Sequence, residues 1–243
     1  MRKILFLFIC FNLHAQNNLE QFLEANKFYQ EKNFVEAKDL YEEIIRSGVE
    51  SSEIYYNLGN TYFRLQDYPR AILNYEKAKI NLSDDADIEH NLKLSQLKIV
   101  DRIESLPKIF FIQWFDSFIN YFSDKTIFWF SYVTFILTLI LILTSKIFSQ
   151  YFKEQKFASI IFATLFVISL FIGFAKNQNK KDFAIIIENV ISTKSSPDAE
   201  SKDLFVIHGG LKVELLDKVG DWKKIKLIDG KIGWLPKSSL EKI

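Results

Sequence analysis

Beyond the first sixteen residues the chain holds two histidines, His90 and His208, and no cysteine. Acid–base, nucleophilic or metal chemistry needs such side chains to converge on one point. These two stand in segments of different character, with two long apolar runs between them. Asp84, Asp85 and Asp87 form a tight acidic cluster. They lead into an apolar-periodic segment, where carboxylates cap a helix N-terminus. Cys10 lies inside an N-terminal apolar run, and a chain cut after Ala15 has no thiol for a disulfide, a zinc site or a nucleophile. No glycine-rich phosphate loop is present. The expectation is therefore no catalytic residue, no metal and no cofactor. A net charge of +1 gives no basic surface for nucleic acid. Recognition is what remains: aromatic rings make up 16% of the chain, and Asn26 and Asn60, 34 residues apart, can each give and take a hydrogen bond.

The elements that position these groups start with a leader. Arg2 and Lys3 precede an apolar run from Ile4 to Leu13 and then His14-Ala15-Gln16, the layout of a secretory signal peptide over 1–15. Two uncharged stretches, 126–145 and 157–175, each have the length of a transmembrane helix. The loop between them, 146–156, carries Lys146, Lys153 and Lys156 against Glu154, so the positive-inside bias makes it cytoplasmic. Lys176, Lys180 and Lys181 nearly cancel that bias, and the leader breaks the tie. Residues 18–104 and 183–243 are then both expected outside a bacterial cytoplasmic (inner) membrane, on the extracytoplasmic, periplasmic side, with 176–182 a linker. This holds whether the leader is cleaved or kept. Segment 105–125, with Phe110, Phe111, Trp114, Phe115, Phe118, Tyr121 and Phe122, suits an interfacial helix in the headgroup region, its other course being to pack on the N-terminal helices.

Residues 18–51 and 52–85 repeat: Ala25 aligns with Gly59, Phe28 with Tyr62, Ala37 with Ala71, Tyr41 with Tyr75 and Ile44 with Ala78, each pair 34 apart. Small residues let paired helices approach closely, and aromatics fill the gap to the next helix. Leu58, Gly59, Tyr62, Ala71, Tyr75 and Ala78 carry marks that resemble the tetratricopeptide repeat (TPR) family, an all-α solenoid. Residues 86–104 read as a capping helix, closing a module of 18–104. The resemblance implies a peptide groove lined by Phe22, Asn26, Tyr29, Tyr56, Asn60 and Phe63. Solvation or packing is the other role open to these residues.

After the second apolar stretch short β-rich runs separated by Ser-Pro-Asp, Gly-Gly, Val-Gly-Asp and Asp-Gly predict five strands and a small barrel over 183–243. Asp229-Gly230, read as a two-residue hairpin, opposes Ile225 to Trp234 and Leu227 to Ile232, which sends Trp234 into the core. Trp222 then lies off the core face with Lys224 and Lys226, as a candidate contact residue. Gly209-Gly210, Gly220-Asp221-Trp222, Asp229-Gly230 and Gly233-Trp234-Leu235-Pro236 resemble the bacterial SH3 family. That likeness implies a binding face of Trp222 with Asp198, Glu200 and Asp203 of a long early loop.

The fold class expected is a multidomain membrane protein: TPR solenoid, two transmembrane helices, SH3-like barrel. This order is similar to the TPR-and-SH3 membrane proteins of the Bat (aerotolerance) operons, the BatE-like family. The similarity implies a non-catalytic scaffold in an envelope stress complex, with membrane proteins bearing von Willebrand factor A domains as partners and a MoxR-type ATPase across the membrane. A peptidoglycan-binding adaptor that recruits a cell-wall enzyme is the alternative.

Overall fold

A computed structural model describes residues 18–80, 82, 85–103, 110–147, 155–178 and 181–243. The expected leader, most of the expected loop 146–156, Asp84 and Pro107 lie outside them. Two compact units emerge, one made of the N-terminal helices together with Asp182–Ile243, the other of Pro107–Lys181.

In the first unit helix α1 (18–30) is followed by α2 (Phe34–Arg46), α3 (Ser52–Arg64), α4 (Tyr68–Lys79) and α5 (Ala86–Gln96). Helix starts are set by side-chain oxygens: Ser51, Asp67 and Asp85 accept the backbone N–H of Ile54, Arg70 and Ile88. Asp85 of the acidic cluster is thus a cap. Helices α1 and α3 both end through a left-handed residue, Lys32 (φ 66°) and Gln66 (φ 63°), the second 34 positions after the first. Asn33 N–H reaches Phe28 C=O and Asp67 N–H reaches Tyr62 C=O, the Schellman pattern that satisfies orphan carbonyls and fixes the turn into the next helix. Ala25, Ala37 and Ala71 are fully buried. At Gly59 a Cβ would stand 2.8 Å from the Tyr75 ring, so only glycine lets α3 and α4 approach this closely. Helix α5 stops at Gln96, earlier than the expected capping helix, and residues 97–103 continue without helix.

The rest of this unit is one seven-stranded antiparallel sheet, ordered β3-β2-β6-β5-β4-β1-β7. Its strands are β1 (Asp182–Ile186), β2 (Val190–Lys194), β3 (Asp203–His208), β4 (Lys212–Val219), β5 (Trp222–Lys226), β6 (Ile232–Pro236) and β7 (Leu240–Lys242). The sheet is not closed into a barrel: its edge strands, β3 and β7, do not pair with each other. Seven strands replace the expected five because the first apolar run breaks between Ile186 and Val190 and a short strand closes the chain.

The Asp229-Gly230 hairpin also differs. Strand β5 ends at Lys226 and β6 begins at Ile232, pairing Ile225 with Gly233 and Lys224 with Trp234. The loop spans Leu227 to Lys231 and closes on itself, Leu227 N–H donating to Lys231 C=O and Gly230 N–H to Leu227 C=O. A one-residue slip moves every side chain to the opposite face. Gly233 and Leu235 are therefore buried, and Trp234 stands half-buried on the outer face beside Trp222, with the Lys224 ammonium 5.8 Å from its ring.

The sheet packs on the helices. Ile185, fully buried, belongs to the same apolar cluster as Ile72, Tyr75 and Leu92, with Ile187 and Ile243 at its margin. Ile99 touches this cluster and also the sheet's own, which contains Ile186, Val213, Ile225 and Leu235. Gly209 and Gly210 form a contact surface, not merely a turn: a Cβ on Gly209 would lie 2.8 Å from Pro69, and one on Gly210 2.4 Å from Ile99. Polar ties flank the apolar seam. Asp101 accepts from the backbone N–H of His208 at 2.7 Å and meets its Nδ1 at 2.9 Å, while Lys212 pairs with the nearly buried Glu76 at 2.8 Å.

The second unit contains α6 (Phe110–Tyr121), α7 (Asp124–Ile147) and α8 (Gln155–Gln178). Helices α7 and α8 are long and apolar enough to cross a membrane. They pack as a pair through small and hydroxylated positions: the hydroxyls of Ser131 and Ser169 meet at 2.8 Å, Thr134 and Thr138 are buried, and Gly173 lies beside Ile127. Phe128, Leu143 and Phe171 point outward and stay largely exposed. At one end Lys176 reaches Asp124 at 3.0 Å and the Phe122 carbonyl at 2.5 Å.

The seam between sheet and helices yields a stability prediction. Gly210→Ala adds a clash with Ile99 to the strain of a positive φ, and is expected to cost about 1–3 kcal/mol more than the strain alone. Gly48→Ala is the control, since its φ is also positive (91°) and nothing lies within 4 Å of its Cβ. Thermal unfolding of both variants in detergent measures the difference; equal losses would mean that the seam is loose.

Candidate functional site

Side chains facing the hollow of the helical repeats are braced by a pattern that itself repeats. The carbonyl oxygen of Asn26 accepts from Tyr41 Oη at 2.6 Å and from Asn57 Nδ2 at 3.1 Å. Thirty-four positions on, the oxygen of Asn60 accepts from Tyr75 Oη at 2.8 Å and from Asn91 Nδ2 at 3.0 Å. Aromatic pairs follow suit: Phe22 packs on Tyr41 and Tyr56 on Tyr75, while Tyr29 meets Phe34 edge-on and Phe63 meets Tyr68. Each candidate on a first helix is thus held by a partner on its second helix, so the surface is preformed. The amides have their acceptor side occupied, leaving NH2 groups as the donors free of this network. A peptide carbonyl fits that offer, whereas a peptide N–H does not.

Four of the six expected groove residues come together. Tyr29, Tyr56, Asn60 and Phe63 line one cavity of about 360 Å³ with Arg64, Tyr75, Asn91 and Leu94. Phe22 and Asn26 occupy the equivalent place one repeat earlier and are not in that cavity. Arg64 and Asn91 went unnoticed in the sequence, and Tyr75 was read there as a packing aromatic of the repeat, not as part of the groove lining. Asn91 was detectable, because Asn57 and Asn91 are 34 apart, as are Thr61 and Ser95, whose hydroxyls both bond the carbonyl four residues back. Helix α5 is therefore the first helix of a third, incomplete repeat.

On the sheet the expected acidic face does not assemble around Trp222. Asp203 pairs with Lys194 at 2.9 Å, and Asp198 is used in its own turn, accepting from Glu200 N–H. Glu200 is exposed. Trp222 opposes Pro236, and its neighbours on the outer face are Lys224 and Trp234. Asp101 and His208 are adjacent, but their bonds tie sheet to helices. Among the described residues no group of three or more His, Cys, Asp or Glu is placed to hold a metal ion.

Helices α3 and α4 meet with a glycine at their closest approach, beside this aromatic and amide lining. Residues 52–79 match the tetratricopeptide repeat family. TPR repeats are protein-interaction modules, stacked so that each buries the next. No curated protein matches the chain.

Burial raises the phenol pKa of Tyr41, of Tyr62, which also donates to the Glu42 carboxylate, and of Tyr75. The folded TPR module thus holds these protons more tightly than the unfolded chain. Their contribution to stability is complete below the ordinary phenol pKa of about 10 and declines as pH rises beyond it. The thermal midpoint is expected to stay level up to about pH 9 and then to fall, with a shallower alkaline fall in Tyr75→Phe. At neutral pH the same substitution is expected to cost about 1 kcal/mol, for the hydrogen bond lost to Asn60. An unchanged alkaline profile would show that Tyr75 does not hold its proton through folding.

Proposed function

We propose that this chain is a non-catalytic, membrane-anchored scaffold that binds an extended segment of a partner protein in the concave TPR groove. The observation that carries the reading is the cavity formed by Tyr29, Tyr56, Asn60 and Phe63, rigidly backed and offering amide donors between aromatic walls. Such a surface holds a peptide backbone by its carbonyls and selects side chains by shape. Arg64, exposed at its edge, favours an acidic residue in the ligand.

Anchoring rests on α7 and α8, whose outward faces need an apolar medium, and on α6, whose exposed Phe110, Trp114 and Tyr121 suit the headgroup layer. Packing supports a same-side topology. Residues on either side of the helix pair, up to Ile103 and from Asp182, belong to one compact unit and so occupy one compartment. With a leader at 1–15 and Lys-rich 146–156 inside, that compartment is the periplasmic one. The module order supports a place in a Bat-type envelope stress complex, with von Willebrand factor A domain membrane proteins as partners.

Alkaline phosphatase fused after residue 104 or after residue 243 is expected to be active, and fused after residue 150 inactive. A photoreactive residue in place of Tyr56 in the membrane-borne chain is expected to capture one defined protein, with capture lost in Asn60→Ala. Adducts to lipid alone would overturn the scaffold reading.

A further inference from the structure

Among the described residues of this unit, the third repeat has no second helix. In the second repeat Gly59 and Phe63 of α3 face α4, through Tyr75 and Tyr68. Their equivalents 34 positions later are Lys93 on α5 and Leu97 just past its end, and among the described residues of this unit no helix covers them, because residues 97–103 turn away to the sheet. Leu97 is 58% exposed, and across from it Ile228, on the loop between β5 and β6, is 56% exposed. These residues line a cavity of about 620 Å³ between the end of the solenoid and the sheet, floored by Ile99, Ile103 and Leu211. It is separate from the concave groove and shares none of its lining residues.

We infer that this cavity is a second docking site, and that it takes an acidic amphipathic helix of a partner protein in the place of the missing second helix. Position argues for a helix, since the uncovered residues are those that pack on a helix in the repeat before. Charge argues for acidic flanks. Lys93, Arg102 and Lys212 surround the cavity, while its one carboxylate, Asp101, is taken up by His208. Lys212 is drawn to Glu76 and Lys93 to Glu89, yet both keep exposed side chains able to add a carboxylate of a ligand. Lysine at the glycine place also keeps an occupant from packing as closely as α4 packs on α3. A separable partner fits that spacing better than a permanent part of the fold does. The occupant's apolar stripe would rest on Leu97 and Ile228.

The test uses the full chain in detergent and two fluorescent helical peptides, one with Leu at helical spacing flanked by Glu, the other with Lys in place of each Glu. The acidic peptide is expected to bind saturably, and the basic one at least about tenfold more weakly. Ile228→Glu and Arg102→Glu, both at exposed positions, are each expected to weaken the acidic peptide about tenfold, while Asn60→Ala in the concave groove leaves it unchanged. A photoreactive residue in place of Ile228 should then label the acidic peptide. Equal binding of the two peptides, binding indifferent to Ile228→Glu, loss of binding in Asn60→Ala, or labelling only of the chain's own residues 104–109 or of a second copy would each overturn the inference. Because Asn60→Ala is scored separately, failure here leaves the concave-groove reading standing on its own experiment.

Discussion

Ile185 is the point on which the architecture turns. It lies on the first strand of the sheet, yet its side chain is buried among residues of the second helical repeat and α5. A solenoid of two and a half repeats leaves the outer side of its last full helix in water unless something covers it. Here β1 does so, and Gly209 and Gly210 let the backbone come close enough for Ile99 and Pro69 to seat. Burying one isoleucine side chain is worth about 1.5–3 kcal/mol. Ile185 is fully buried and contributes on that scale, while Ile187 and Ile243, only partly buried at the margin, contribute less. The Asp101–His208 and Lys212–Glu76 ties add direction to this contact more than energy, being partly open to solvent.

That contact constrains everything between residues 103 and 182. Lys176, held by Asp124 and the Phe122 carbonyl, fixes the end of the hairpin where the chain enters and leaves it.

The 34-residue period was legible because it is written in residue types: small side chains where helices touch, aromatics where they do not. Asn26 and Asn60 were visible as candidates, but what occupies their oxygens was not, since Tyr41 and Tyr75 reach them across a helix pair. The two apolar helices were legible from length and charge alone. The sheet was read less well. Alternation identified strands, and it placed Trp222 off the core correctly. It misplaced Trp234 because a turn holding Asp-Gly can be two residues or five, and the difference is decided by Leu227 N–H finding Lys231 C=O. The helix–sheet seam left no local trace. Ile185 and Asp101 look ordinary in sequence, and the groups they meet across the seam lie far away in the chain.

The seam also bears on how the proposed scaffold would work. Two modules on flexible tethers gain from each other only through effective concentration, set by linker length. A TPR groove and a sheet that share one apolar cluster are instead held at a fixed spacing, so a partner with two matching segments does not lose affinity to linker motion. It also tolerates little mismatch. A partner whose two segments are spaced wrongly gains nothing from the second, and geometry then selects among partners with similar peptides. Under the proposed scaffold reading, selection of that kind would suit a protein whose individual surfaces are modest, with Ile185 and its neighbours holding the two surfaces in register.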